Sequence, residues 1–268
     1  MAIDITNCLG SPVTELLLER SETGIATLTL NRPQRKNAVR PSGWEELRRL
    51  FHEVAHDAAT RVVVITGAGG DFCAGADLAT MAPDEHPLPA MGPVNAAALA
   101  LHEIPKPTIA KVKGVAAGAG MNLAIGCDLI VAGESARFSQ IFVRRGLTLD
   151  FGGSWLLPRL VGMAKAKELA LFGDILSARE AHDLGLVNRV VPDAELDAFV
   201  DGWAERLASG PPLAMHLAKK LLSNAFSGGL SDALAAEAMA QTVNILSDDM
   251  KEGVAAFLQK RAPVFRGR

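Results

Sequence analysis

Twice along this chain a β-branched run ends in a glycine-rich turn that leads toward a helix, and this recurrence constrains the fold more than any other feature. The first unit spans Val62–Leu78 and the second Ile109–Gly126. In the first, VVVIT after Arg61 has the continuous apolar character of a strand buried on both faces, and GAGGDFCAGADL follows it. In the second, TIAKVKGV from Thr108 reads as one strand, and AAGAG opens a helix through Met121, Leu123 and Ala124. The repetition is architectural and not one of sequence. It predicts an α/β fold built from repeated strand–strand–helix turns.

The flanking segments fit that plan. Leu16–Leu30 reads as a β-hairpin turning at Gly24, and NRPQRKNAVRP as a basic, proline-containing loop. Ser42, with Glu45 three residues on, suggests a capping box ahead of a helix whose apolar face carries Leu47, Leu50, Phe51 and Val54. Four prolines between Ala82 and Pro93 predict a loop, and the alanine-rich run Asn95–Glu103 a helix. Cys127-DLIVA reads as a strand. Ser177-ARE forms a second capping box, with Gly185 as the helix stop. Beyond Pro192 no strand pattern remains, so the chain divides into a core over 1–192 and a helical region over 193–268.

With 268 residues, 49% of them hydrophobic, the chain can bury a large single core. A net charge of −3 gives no electrostatic basis for binding nucleic acid or an anionic membrane. Cys8, Cys73 and Cys127 are sparse and unpaired in spacing, which points to buried thiols and away from disulfides or a metal centre. MAIDITNCLG lacks the pattern of a signal peptide, and a cytosolic location is expected.

Several chemistries can be set aside. Gly67-x-Gly69 is followed by Phe72, and Gly118-x-Gly120 by Leu123, where a dinucleotide fingerprint needs glycine. There is no phosphate-binding GxxxxGK[ST] loop. Ser154 lies in GGSWL and not in a nucleophile elbow, and the His52/His56 pair lacks the glutamate of a metalloprotease helix. What remains is the pair of glycine turns, Cys73-AGAD and Ala117-GAGMN. They could turn backbone N–H groups toward a ligand oxygen as an oxyanion hole, or they could serve close packing alone.

Six segments in order, NRPQRKNAV, ITGAGGDFCAGADL, KPTIAKVKGVAAGAG, CDLIVAGESARFS, SAREAHDLGLVNRVV and EGVAAFLQKR, resemble the crotonase superfamily of enoyl-CoA hydratases and isomerases. They span nearly the whole chain, from about Ile25 to Arg261. The resemblance implies a spiral of strand–strand–helix units with a helical C-terminal trimerisation region, assembling as trimers or paired trimers. It implies an acyl-CoA thioester substrate and no cofactor apart from the coenzyme A that the substrate carries. The oxyanion donors would be the N–H groups of Ala76 and Ala119, the latter standing where the family usually has glycine. Arg35, Lys36, Ala38, Asp77 and Leu78 would border the CoA nucleotide, and Phe257 and Lys260 would reach CoA, on the same or a neighbouring subunit.

The resemblance also bears on the reaction. Hydratases of this family carry two glutamates, and here those positions are Asn122 and Phe142, placed along the acyl pocket. Neither side chain can activate water or deliver a proton. Asp150, in LTLDFGGSWLLPR, matches the acidic position of the family's isomerases, and the closer likeness is to the phenylacetate-pathway ring-oxirane isomerases. A proton-shifting isomerase follows, with an ordinary helix N-cap as the competing role for Asp150. The alternatives are a hydratase with displaced groups, an aryl-CoA dehalogenase-like hydrolase, whose partner histidine would fall at Asn95, and a non-catalytic CoA-binding protein.

Overall fold

The structure is a computed structural model that describes residues 14–80 and 86–268. Cys8, the N-terminal segment and the acidic pair Asp84 and Glu85 lie outside the described residues.

The chain begins with a hairpin of β1 (Leu16–Arg20) and β2 (Ile25–Leu30), as expected. Ala26, Leu28 and Leu30 of β2 face the core while the threonines between them stay half-buried, the alternation of a strand with one packed face. Helix α1 (Pro41–His56) buries Trp44, Leu47, Leu50, Phe51 and Val54. Its start corrects the expected capping box. Arg40 is the N-cap and Pro41 the first helical residue, with no side-chain cap. Proline is pre-set for that position and has no N–H to leave unpaired, so the helix begins ahead of Ser42. Glu45 bonds Arg48 instead, at 3.0 Å.

Strand β3 (Val62–Gly67) pairs in parallel with β2. Its unbroken apolar run is explained by two cores. Val63 and Ile65 enter the main core, while Val62 and Val64 face a second cluster on the sheet's other side. Helix α2 (Pro87–His102) begins inside the segment expected to be a loop, capped by the His86 side chain, which accepts the Leu88 N–H. Prolines at 87 and 89 fall in the first turn, where no intrahelical N–H partner is needed, and only Pro93 removes a ladder bond.

The strand expected from Thr108 is two strands in two sheets, β4 (Thr108–Val112) and β5 (Val115–Ala117). Gly114 between them has φ +55°, and a methyl group there would lie 2.3 Å from the Gly70 carbonyl oxygen. Asp71 Oδ1 accepts the Val115 N–H at 2.8 Å and secures the change of direction. There follow α3 (Ala119–Ile125), β6 (Leu129–Gly133), β7 (Arg137–Ser139), α4 (Gly153–Phe172), β8 (Ile175–Ser177), α5 (Ala178–Asp183) and β9 (Arg189–Val191). The larger sheet has the order β1-β2-β3-β4-β6-β9, parallel from β2 onward, and the smaller one β5-β7-β8. The second capping box forms as expected, with the Ser177 and Glu180 side chains and N–H groups bonded reciprocally.

The rest of the described chain is helical: α6 (Leu196–Ala208), α7 (Pro212–Ser223), α8 (Leu230–Leu246) and α9 (Asp248–Gln259). Leu196, Val200, Ala204 and Ala208 form a stripe at helical spacing that packs on Val62, Val64, Ile109 and Val131, so α6 closes the sheet's second face. Helices α8 and α9 leave large apolar side chains exposed, among them Leu234, Met239, Leu246, Phe257 and Leu258. None of the helices among the described residues is long and apolar enough to cross a membrane.

Candidate active site

The two glycine turns meet. Cys73 and Ala116 form a parallel bridge, with the Cys73 N–H on the Val115 carbonyl and the Ala117 N–H on the Cys73 carbonyl. A methyl group on Gly75, where φ is +92°, would lie 2.8 Å from the Ala117 carbonyl oxygen and 3.3 Å from the Ala119 nitrogen. One on Gly120 would collide with the Cys73 carbonyl oxygen at 2.1 Å. Close packing is therefore a real function of these glycines, and it sets Gly75, next to Ala76, against the Ala119 nitrogen. The left-handed angles fall on Gly75 and Gly118, so neither alanine carries backbone strain. Ala119 is the first residue of α3, where an N–H has no intrahelical acceptor. No hydrogen bond among the described residues uses the Ala119 or Ala76 N–H. Ala119 is itself buried.

The loop of Arg35, Lys36 and Ala38 is fastened to the first turn by two side chains that the sequence reading passed over. Buried Asn37 donates to the carbonyls of Ala68 and Asp71, at 2.8 and 2.6 Å, and accepts the Arg32 N–H. Lys36 and Asn37 both take left-handed angles, which asparagine tolerates well. Arg32, also buried, donates to the Ala38 carbonyl and to Asp77 Oδ2 at 2.9 Å. That hydrogen bond from Arg32 holds the Asp77 carboxyl below the usual carboxylate range. Asp77 is thus engaged within the fold, while Lys36 and Leu78 remain exposed beside it.

Phe142, Asn122 and Asp150 gather around α3. The Phe142 ring lies over the helix start, where a methyl group on Gly118 would be 3.6 Å from its Cζ. Asn122, one turn beyond Ala119, is fully buried. Its Nδ2 donates to the Asp150 carbonyl at 2.8 Å and its Oδ1 accepts from Gln140 Nε2 at 2.7 Å. Asp150 does not cap α4, because Gly152 is the N-cap and no side chain bonds the first turn. Its carboxyl is half-buried, and Oδ1 is out of contact with solvent without a hydrogen-bond partner. Desolvation pushes this carboxyl up to about 6, against a smaller lowering by the residue's own N–H.

The two described cysteines play no nucleophilic part, since burial pushes both thiols up to about 12. Phe257 and Lys260 lie at the C-terminal end of the last described helix, α9. That helix lies against α8, and Phe257 is 82% exposed.

The two glycine turns thus abut at Gly75 and Ala119, and the turn carrying Asp150 is bonded to Asn122 of the helix that Ala119 opens. The enoyl-CoA hydratase/isomerase family model matches residues 20–268. The chain belongs to the enoyl-CoA hydratase/isomerase family. It is 40% identical to the 1,2-epoxyphenylacetyl-CoA isomerase of Escherichia coli (strain K12) over 95% of this chain and 99% of that protein. It is 41% identical to a probable enoyl-CoA hydratase of Rhodobacter capsulatus, over 91% and 95% of the two chains. The solved enoyl-CoA hydratase of Bacillus anthracis superposes with a TM-score of 0.91 at 34% identity, covering 95% of this chain and all of that one. The crotonase fold and family expected from the sequence are therefore correct.

Proposed function

We infer that this family member is an enoyl-CoA isomerase that moves a proton along its acyl chain with one carboxylate and no added water. The observation that carries the reading is the setting of Asp150: half-buried, with Oδ1 out of contact with solvent and, among the described residues, no ion pair or hydrogen-bond partner for that oxygen, a desolvation that pushes the carboxyl up to about 6. At neutral pH such a group is mostly ionised yet still basic, as a proton carrier needs to be. Both positions where hydratases of the family keep glutamate are filled by groups that cannot do that work. Phe142 is apolar, and both ends of the Asn122 amide are already bonded.

In the proposed reaction the thioester oxygen accepts hydrogen bonds from the Ala76 and Ala119 N–H groups. Asp150 takes a proton from the carbon next to the thioester carbonyl of a β,γ-enoyl-CoA. The electron pair moves onto the oxygen as a dienolate, which the two amides stabilise. Asp150 then returns the proton two carbons along, leaving the conjugated α,β-enoyl thioester. Atoms and charge balance without a cofactor; coenzyme A enters as part of the substrate. Arg35, Lys36, Ala38, Asp77 and Leu78 are proposed to border the CoA nucleotide. Phe257 and Lys260 are assigned to the same site from a neighbouring subunit of a trimer or paired trimer, which would also cover the apolar faces of α8 and α9. A cytoplasmic location suits this chemistry.

The test is ultraviolet absorbance of thioester conjugation with a β,γ-enoyl-CoA, comparing the native protein with Asp150→Asn. Conjugation by the native protein alone supports the reading. Hydration of crotonyl-CoA at an ordinary enzymatic rate contradicts it.

A further inference from the structure

Among the described residues no other side chain bonds the Asp150 carboxyl, so its position is set through the main chain. Its carbonyl accepts two donors, the Gly153 N–H at 2.9 Å and Asn122 Nδ2 at 2.8 Å. The two residues that follow are both left-handed, Phe151 at φ +46° and Gly152 at φ +79°. A phenylalanine in that region is strained, and the strain is held by the burial of its ring 5.4 Å from that of Trp44. The turn carrying Asp150 is therefore pinned on one side by an aromatic pair and on the other by an amide.

That amide has one orientation open to it. The Asp150 carbonyl can only accept, so Nδ2 must face it and Oδ1 must face Gln140, which can only answer with Nε2. Asn122 is 0% exposed and Gln140 1%, so neither can swing out to water. Gly153 leaves room for the arrangement; a methyl group there would lie 2.3 Å from Asn122 Nδ2. The pair is not needed to satisfy the Asp150 carbonyl, which the Gly153 N–H already reaches. It also leaves Gln140 Oε1 buried without a partner. Apolar side chains of similar size would fill the space without that penalty. The polar pair is accounted for if the strut itself is what matters.

We propose that Asn122 and Gln140 are positioning residues that fix where the Asp150 carboxyl sits by bracing its main-chain carbonyl. This rests on the reading of Asp150 as the proton carrier. The brace holds the carboxyl in its desolvated place, so releasing it lets the group move toward solvent and titrate at lower pH. Its effect falls on the chemical step and not on thioester binding, because neither side chain is exposed to a ligand.

The experiment measures kcat, KM and the pH profile of isomerisation for Asn122→Ala and Gln140→Met. Misplacing a reacting group by about an ångström lowers kcat roughly 10²-fold, and that is the drop expected for Asn122→Ala, with about tenfold for Gln140→Met. KM should stay within about twofold, and the acidic limb should move down by about half a pH unit or more. Adding Asn122→Ala to Asp150→Asn should slow the reaction no further. Should Asn122→Ala fail to fold, Gln140→Met carries the test, since it keeps the Asn122 bond and removes only what orients it. An unmoved acidic limb, or a loss that adds fully to that of Asp150→Asn, overturns the proposal. A crystal structure of Asn122→Ala judges the brace apart from turnover: a displaced carboxyl is expected, and an unmoved one overturns it. Full activity of Asp150→Asn would instead overturn the proton-carrier reading, leaving the brace to be decided by that crystal structure.

Discussion

Asp77 and Asp150 stand near the two halves of the same candidate site and are held in opposite ways. Asp77 follows the first amide donor, and its carboxylate is paired with buried Arg32 at 2.9 Å. The main chain of Asp150 is bonded to Asn122, one turn of α3 beyond the second, and its carboxyl has a buried oxygen without a partner among the described residues. The pairing keeps the first carboxyl ionised and chemically quiet, and the desolvation makes the second a base of useful strength. Under the proposed reading, the contrast teaches that proximity to the two glycine turns does not by itself make a carboxylate catalytic. What separates them is whether the fold supplies a counter-charge.

The largest expected effect tests the unpaired member. Asp150→Asn should lower isomerisation by about 10³-fold, within the range usual for loss of a general acid–base group, while Asp77→Asn should leave more than a tenth of the activity in folded protein. Stopped-flow absorbance on both variants checks this, and the reverse ranking would break the comparison. Arg32→Met should cost roughly 3 kcal/mol of stability or more by stranding the buried Asp77 carboxylate, read by denaturant unfolding.

The stability effect of Asp150 has the opposite sign. Its carboxyl is raised to about 6 in the folded protein against 3.8 when unperturbed, so folding favours its protonated form. The corresponding stability is fully present below about pH 4 and is lost as pH rises through 6. Above that, Asp150→Asn should be more stable than the native protein by about 3 kcal/mol at most, with the difference vanishing near pH 3. Thermal melts across this range measure it. The smallest effect belongs to the turn shared by both halves. Gly75→Ala meets a φ of +92° and a carbonyl 2.8 Å away, and should lower stability by about 1–3 kcal/mol and weaken both amide donors together.

How much of this was legible in the sequence follows from the range of the interactions. The hairpin, β3, the two turns and the C-terminal helices are written in local periodicity and glycine placement, and they stand as read. The break at Gly114 was invisible because it depends on Asp71, 43 positions or more away across the fold from what it secures, as the Asp71–Val115 bond shows with its separation of 44. Strands β7 and β8 have three residues each, too few for an alternation to register. The α1 start was misread because Ser42 and Glu45 imitate a capping box one residue into a helix that Pro41 had already begun. In the site, Asp150 was legible by resemblance, but its support was not. Gln140 offered one faint signal, a polar residue flanked by Phe138 and Phe142, whereas Arg32 lay in a basic loop that reads as solvated.

The measurement closest to the central claim is the pH dependence of kcat/KM for isomerisation of a β,γ-enoyl-CoA. The account predicts an acidic limb that bends near pH 6, where the desolvated Asp150 carboxyl takes up its proton. It predicts that Asp150→Asn loses that limb along with the rate. A profile flat through pH 6, or the same limb persisting in Asp150→Asn, would contradict it.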